Sequence, residues 1–496
     1  MLRRRRTNVM LVLAACAASL LVAAAPASAR SSAQYRIEGG GWGHGIGLSQ
    51  YGADGYAKKG WTVDRIIGHY FPGTVLAARP TDGPTSLRVL LKRGPFTPRF
   101  QMLSAGEVRH GLAAPLEVAP GDVVEVAREG AMLTATRVRG AERTPVTIAS
   151  PADVTLVPAV DGGFKTLFSP DYGGSGGSYH GMITFYANPA GKGGGVGVVN
   201  TVPFESYLRG VVPAEMPAAW HPEALKSQAV AARSYALRGL QKNAPFDVYA
   251  TTSSQVYGGI NAERPTTDAA IAATDSLVAR VGGPTGEVAQ TFFYSSSGGR
   301  TANNEDVWNG TPRSYLRSVP SPFEETYRKT WETGETAGGA TLKLELTPAQ
   351  LGAKLGSYVP GAFRSISVEG TPSGYAKKLT IVGTSGKNTI SADSFKLRFD
   401  LGSTNFRVHL LSISAPNVNP VGKYVKIVGR APAGQTQLRL SRPGYIKTMT
   451  VKPKADGLWT VNMRMGAATR AQVIRRGVLG PAIIISPGTG VAAARR

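Results

Sequence analysis

Cysteine is nearly absent from this chain: among 496 residues there is one, Cys16. It lies in an N-terminal segment that reads as a removable signal. The mature chain is therefore expected to hold no disulfide, no thiol nucleophile and no Cys-ligated metal. Stability must come from burial, which this length and an apolar content of 42% permit. Long hydrophobic runs are scarce too. One apolar run, residues 9–25, is short for a span of about 20 residues, and none comparable follows. No transmembrane span is expected in the mature form. The six histidines, at 44, 69, 110, 180, 221 and 409, lack H-x-x-x-H metal spacing. Neither a metal nor a cofactor is expected. The Gly-rich runs lack the Lys-Ser/Thr that completes a phosphate loop. Residues 173–177 fit G-x-S-x-G but lack the strand and helix that flank a nucleophile elbow. Helix-turn-helix, zinc-finger and RNP-like patterns are missing, which argues against a nucleic-acid partner.

Acids are in short supply as well. Lys and Arg outnumber Asp and Glu by 56 to 32, a formal net charge of +24. Arg3, Arg4, Arg5 and Arg6 form the positive region of the signal, and Ala27-Ser28-Ala29 supplies an A-x-A cleavage sequence. Cleavage after Ala29 removes those four arginines and leaves +20, since residues 1–29 contain no acid. Export by the general secretory route, to the cell wall or cell surface, is the expectation. The alternative reads Leu13-Ala14-Ala15-Cys16 as a lipoprotein box with an anchor at Cys16. It is set second because apolar residues continue to Ala25 and embed the cysteine in the run. A strongly basic exported chain seeks polyanions: anionic wall polymers, acidic muropeptides or anionic lipid.

The length implies two or three domains. After the signal, residues 30–82 are rich in Gly and aromatics. Residues 83–198 alternate as short strands between Gly and Pro turns, and 199–411 add helices. A linker at 416–420 introduces a small all-β unit, so that 412–496 reads as a sandwich-like domain. The fold class is α+β: a strand-rich domain over 30–411 with a few helices, plus a C-terminal β-sandwich. A short helix is predicted over 62–70, ended by Phe71-Pro72-Gly73. The clearest helix runs from Pro222 to Leu240, and its Ala229, Ala232 and Ala236 form a small-residue stripe open to close approach. Residues 288–294 read as one buried strand. Thr347 caps a helix whose first position is Pro348.

The chemically informative stretch ends in Val211-Val212-Pro213-Ala214-Glu215-Met216-Pro217. Glu215 has apolar neighbours, with Trp220 close by. Burial among apolar groups disfavours a charged carboxyl and raises its pKa, as a general acid near neutrality requires. The competing reading is a carboxylate just ahead of a helix N-terminus, whose dipole would lower the pKa. On the pattern alone the second reading stands ahead.

A resemblance alters that balance. The run from Asn200 to Leu237, through Ala224-Leu225-Lys226-Ser227-Gln228-Ala229-Val230-Ala231-Ala232-Arg233-Ser234-Tyr235, resembles the signature of the SpoIID/LytB family. Gln255-Val256-Tyr257-Gly258-Gly259, then Ser295-Ser296-Ser297-Gly298-Gly299-Arg300-Thr301 with Val307-Trp308, resemble its following blocks. Residues 341–408 resemble its last strands. Gly41-Trp42-Gly43-His44-Gly45-Ile46-Gly47-Leu48-Ser49-Gln50 resembles a block that usually ends the domain, yet here it begins it. A circular permutation explains this if residues 35–75 dock against the Glu215 region.

The resemblance implies a lytic transglycosylase that cuts peptidoglycan glycan strands, with Glu215 as catalytic acid/base. The family's other branch name denotes a modifier of wall amidases, so a non-catalytic wall-binding or amidase-modifying protein is the alternative. His44 and Gln50 are candidates for the glycan groove, His44 being equally well read as a structural residue of a Gly-rich turn. Lys226, Gln228, Arg233 and Tyr235 share the helix after Glu215. Lys226 and Arg233 fall on one side of it and would bind lactyl carboxylates, orient Glu215, or form structural ion pairs. Tyr257 and Ser297 are further candidates for sugar contacts. Some relatives carry a Cys-containing metal site near the Gln255 block. Ser254 stands there in this chain, which weakens any case for zinc.

Overall fold

The computed structural model describes residues 30–487 except 112–113, 131, 149–153, 171–176, 325–344, 417–420 and 476. The signal segment with Cys16, the G-x-S-x-G run up to residue 176 and the linker expected at 416–420, apart from Pro416, lie outside the described residues. The fold is mixed α+β and rich in strands. It forms two compact units. The larger comprises the described parts of Ile37–Leu344 with Gly352–Val408, the smaller those of Met1–Arg36, Glu345–Leu351 and His409–Arg496.

Two sheets of the larger unit pack together. A seven-stranded sheet runs in the order Val248–Tyr249, Ser86–Gly94, Val196–Pro203, Met182–Ala187, Val154–Pro158, Gly106–His110, Leu116–Val118. A five-stranded sheet contains Arg99–Met102, Val123–Glu129 and Met132–Arg139 among its strands. Their alternating patterns bury Leu87, Val89, Leu91, Phe100, Val124, Val126 and Leu133 in one shared core.

Helix α1 is Gln50–Ala57, α2 Val63–Tyr70, α3 Phe204–Glu215, α4 Pro222–Arg238 and α5 Pro265–Ala273. The central one is α4, started by Pro222, with the His221 side chain accepting the Glu223 N–H. Ala229, Ala232 and Ala236 face the β core together with Phe204, Tyr207, Leu208 and Val211 of α3. Ala224, Leu225, Val230 and Ala231 face a second core built from Ala53, Tyr56, Ile66, Ile67 and Tyr70 of α1 and α2. The alanine stripe lets the first of these cores approach α4 closely. The first turn of α4 is tied to the earlier segment: Asp54 Oδ1 accepts the His221 N–H at 3.0 Å, and Glu223 Oε2 accepts the Val63 N–H at 2.7 Å.

Several local readings change. Residues 288–294 are not one strand but two short ones, Glu287–Val288 and Phe293–Tyr294, pairing with different neighbours. The family's supposed last strands include a helix, Ala392–Phe399, capped by Ser391. The motif stretch ending at Glu215 is helical, as α3. In the smaller unit, Tyr424–Arg430 pairs with Leu458–Arg464, and Thr436–Arg442 pairs with Tyr445–Thr450 and Thr469–Arg475. The two sheets share a core of Ile413, Val425, Ile427, Leu438, Trp459 and Val473. The strand Arg30–Gly39, read from sequence as the start of the larger domain, joins the first of these sheets through its neighbour Phe406–Ala415.

Candidate functional site

Glu215 is the last residue of α3. Pro217 disfavours helical backbone at Met216, which turns extended at φ −134°, ψ 133°. The helix-N-terminus reading of Glu215 is therefore replaced by its opposite. A helix C-terminus carries partial negative charge and disfavours a carboxylate. The side chain is half-buried, and its Oε1 accepts the Val256 N–H at 2.9 Å. Burial raises its pKa, and the Val256 hydrogen bond opposes that in part. Among the described residues no ion pair reaches the carboxylate, and no charged group helps to set its pKa.

Each neighbour is held by a separate part of the chain. Val256 is fixed by its flanks: Gln255 accepts from the Tyr207 hydroxyl at 3.1 Å and donates to the Ala232 carbonyl at 3.3 Å. Tyr257 donates to Asn200 Oδ1 at 2.8 Å. Gln50, first residue of α1 behind the Ser49 cap, donates through Nε2 to the Glu215 carbonyl at 3.0 Å. The same Nε2 lies 3.4 Å from Gln228 Oε1, and the buried Gln228 Nε2 has no hydrogen-bond partner among the described residues. The early Gly-rich segment thus docks on the Glu215 region. Tyr235 is half-buried, and the Glu215 charge joins burial in raising its pKa. From Tyr235 a line of rings continues to Phe292 at 5.8 Å and on to Trp308 at 4.6 Å. Trp308 is 44% exposed.

The remaining expected residues divide differently. His44 accepts the Ile46 N–H at Nδ1, 3.0 Å, and its Nε2 lies 3.2 Å from the Phe293 carbonyl. Burial lowers its pKa to about 4, so it is a neutral ring with both nitrogens engaged, braced against Tyr294 and Trp308. Lys226 pairs with Glu223 at 2.7 Å, the structural alternative. Arg233, Tyr257 and Ser297 are fully buried with their polar groups engaged, and Arg233 takes the structural ion-pair alternative. Arg233 grips Glu205 through two hydrogen bonds, 2.9 and 2.7 Å, and donates to the Leu277 carbonyl at 2.9 Å. Ser297 donates to Glu324 from its N–H at 2.7 Å and from its hydroxyl at 2.9 Å.

Glu324 was missed by sequence reasoning. It is a buried carboxylate that also accepts from Ser49 Oγ, Gly298 N and Ser321 Oγ, at 2.5, 2.9 and 2.5 Å. It ties the cap of α1 to the 297–298 turn. No motif marks it, because apart from the nearby Ser321 its partners are hydroxyls and backbone N–H groups far away in sequence.

Comparison with known proteins finds one family model and several relatives. Residues 192–280, spanning α3, α4 and the Val256 turn, match the family model SpoIID, "Stage II sporulation protein". The chain is 29% identical to Stage II sporulation protein D of Bacillus subtilis, over 42% of this chain and 61% of that protein. It is 40% identical to an uncharacterized protein of Brachyspira hyodysenteriae, over 27% of this chain and 36% of that one. It is also 40% identical to the amidase enhancer of Bacillus subtilis, over 21% of this chain and 14% of that protein. The chain spans less than two thirds of the length of each. The match shows a SpoIID-like segment within this chain, over residues 192–280.

Proposed function

We propose that this protein is an exported lytic transglycosylase acting on peptidoglycan glycan strands, with Glu215 as its general acid and base. The observation that carries the reading is a half-buried carboxyl with a raised pKa and no ion pair among the described residues. Burial shifts such a group toward the protonated form that a general acid needs. Ordinary glycosidases need two carboxylates about 5–9.5 Å apart. A transglycosylase needs one. Glu215 gives its proton to the glycosidic oxygen as the bond to the anomeric carbon breaks. The carboxylate so formed then takes the proton of the muramyl C6 hydroxyl as that oxygen bonds to the same carbon. The products are a 1,6-anhydro end and a free 4-hydroxyl, and Glu215 returns to its starting state.

The surroundings suit the task. Gln50 holds the Glu215 backbone, the Val256 N–H holds one oxygen, and the other is left for the substrate. Tyr235 and Trp308 offer faces for sugar rings. The block from Gly41 to Gln50 fills its place by circular permutation of the family domain. Anionic wall polymers are a second class of partner for so basic a chain.

One observation favours a second reading. The 40% identity to a protein named for enhancing an amidase fits a non-catalytic role, in which the same site binds glycan or a wall amidase. Glycan binding with no cleavage by wild type would support that reading and sink the first.

A further inference from the structure

The basic excess of this chain is concentrated in one place. Residues 37–408 carry 36 Lys and Arg against 31 acids, close to balance. Residues 409–486 carry twelve against one, Asp456. Asp456 is itself occupied, accepting the Leu458 N–H at 2.9 Å. Among the described residues, no ion pair joins Lys426, Arg430 or Arg464 to an acid. A solvated protein face ordinarily mixes both signs; this one has given up its acids.

The strands Tyr424–Arg430 and Leu458–Arg464 show how the charges are displayed. Val425, Ile427 and Trp459 point into the core. The alternate residues Tyr424, Lys426 and Arg430 are exposed, as are Thr460, Asn462 and Arg464 on the paired strand. The register sets Tyr424 opposite Arg464 and Lys426 opposite Asn462. All six therefore share the outer face of one sheet. Arg430 donates to the Asp456 carbonyl at 2.8 Å and Arg464 to the Gly422 carbonyl at 3.2 Å. Those bonds aim the guanidinium groups without neutralising them, and leave further N–H groups on each.

We infer that this outer face is a binding site for a linear phosphodiester polymer of polyols or sugars, lying along the strands. The pairing of charge is complementary: forked guanidinium groups match phosphate oxygens. Same-face positions recur about every 7 Å along a strand. A glycan with one carboxylate per disaccharide is too sparsely charged for that spacing, whereas a polymer with a phosphate in every repeat is not. A single exposed aromatic, Tyr424 at 74% exposure, stands on the face, so there is no row of rings on which successive bases stack. Thr460 and Asn462 offer hydrogen bonds to hydroxyls between the charges. The inference does not depend on the chemistry of Glu215. It gives the smaller unit a role in holding the protein on an anionic polymer.

The test uses the chain from residue 30 onward and poly(glycerol phosphate), with binding measured across a salt series. Polygalacturonate, single-stranded DNA and anionic phospholipid vesicles are run beside it. The expected result is salt-sensitive binding, tightest to the polyol phosphate. The triple variant Lys426→Gln, Arg430→Gln, Arg464→Gln should weaken it by tenfold or more. The slope of log affinity against log salt should fall by about two to three. A charge-matched control, Lys59→Gln, Lys378→Gln, Lys387→Gln, keeps most of the affinity. Equal loss in both variants would overturn the site in favour of diffuse charge. Tighter binding to DNA, polygalacturonate or vesicles would overturn the ligand class. No binding at all would overturn both. Thermal unfolding of each variant, expected to match wild type, separates lost binding from lost folding.

Discussion

At Glu215 the placement of one carboxyl group decides what the protein can do. Its folded-state pKa is raised by burial, so ionisation is disfavoured in the fold. By linkage, this residue lowers stability as pH rises from its unfolded value through the raised folded one. Glu215→Gln should therefore unfold at a higher temperature than wild type at neutral pH and lose that advantage in acid, as calorimetry at two pH values would read. An equal or lower melting temperature at neutral pH would contradict the burial argument. The same shift sets the activity profile. A general acid must start protonated, so cleavage should fall on the alkaline side as pH passes the raised value. Arg233 gives a contrasting prediction. It is fully buried and holds Glu205, which is partly in water. Arg233→Met should cost about 2–3 kcal/mol in denaturant unfolding, below the 3–5 usual for a wholly buried pair. A loss of catalysis with unchanged stability would instead return Arg233 to the substrate groove.

Where the elements meet, the site depends on a short list of junctions. Helix α3 delivers Glu215 at its end because Pro217 stops the helix. Helix α4 supplies Gln228 and Tyr235 from one side and is lashed to α1 and α2 at its start. Glu324 closes the arrangement by joining Ser49, the 297–298 turn and Ser321. Glu324→Ala would remove the shared acceptor of five donor groups at this junction, at about 1–3 kcal/mol for each that water does not satisfy. The expected outcome is faster hydrogen exchange at the Ser297 and Gly298 amides and a weakened Gln50 contact. Unchanged exchange would show the turn to be held by other means. Close backbone approach explains two glycines in the same region. Gly41, at φ +88°, leaves no room for a Cβ beside the Ser296 carbonyl, and Gly45, at φ +86°, none beside the Tyr375 ring.

For the whole molecule, much was legible where the signal is local. Helix 222–238, its alanine stripe, its Pro start and the Thr347 cap follow from short-range rules. Glu215 and Gln50 were legible through motif resemblance. What stayed hidden depends on pairing across the chain. Arg233 lies on the same helical side as Lys226, but only tertiary structure reveals that it is buried against Glu205 and the Leu277 carbonyl. Tyr257 and Ser297 looked like polar groove residues because sequence gives no burial. Glu324 had no motif at all. The strand Arg30–Gly39 entered a sheet with partners hundreds of residues away, which no local pattern reports.

The central claim is tested most directly by mass spectrometry of purified glycan strands, with and without stem peptides, after incubation with wild type and Glu215→Gln. The account predicts 1,6-anhydro-muramyl ends from wild type and none from the variant. Reducing ends from wild type, or anhydro ends from both proteins, would contradict it.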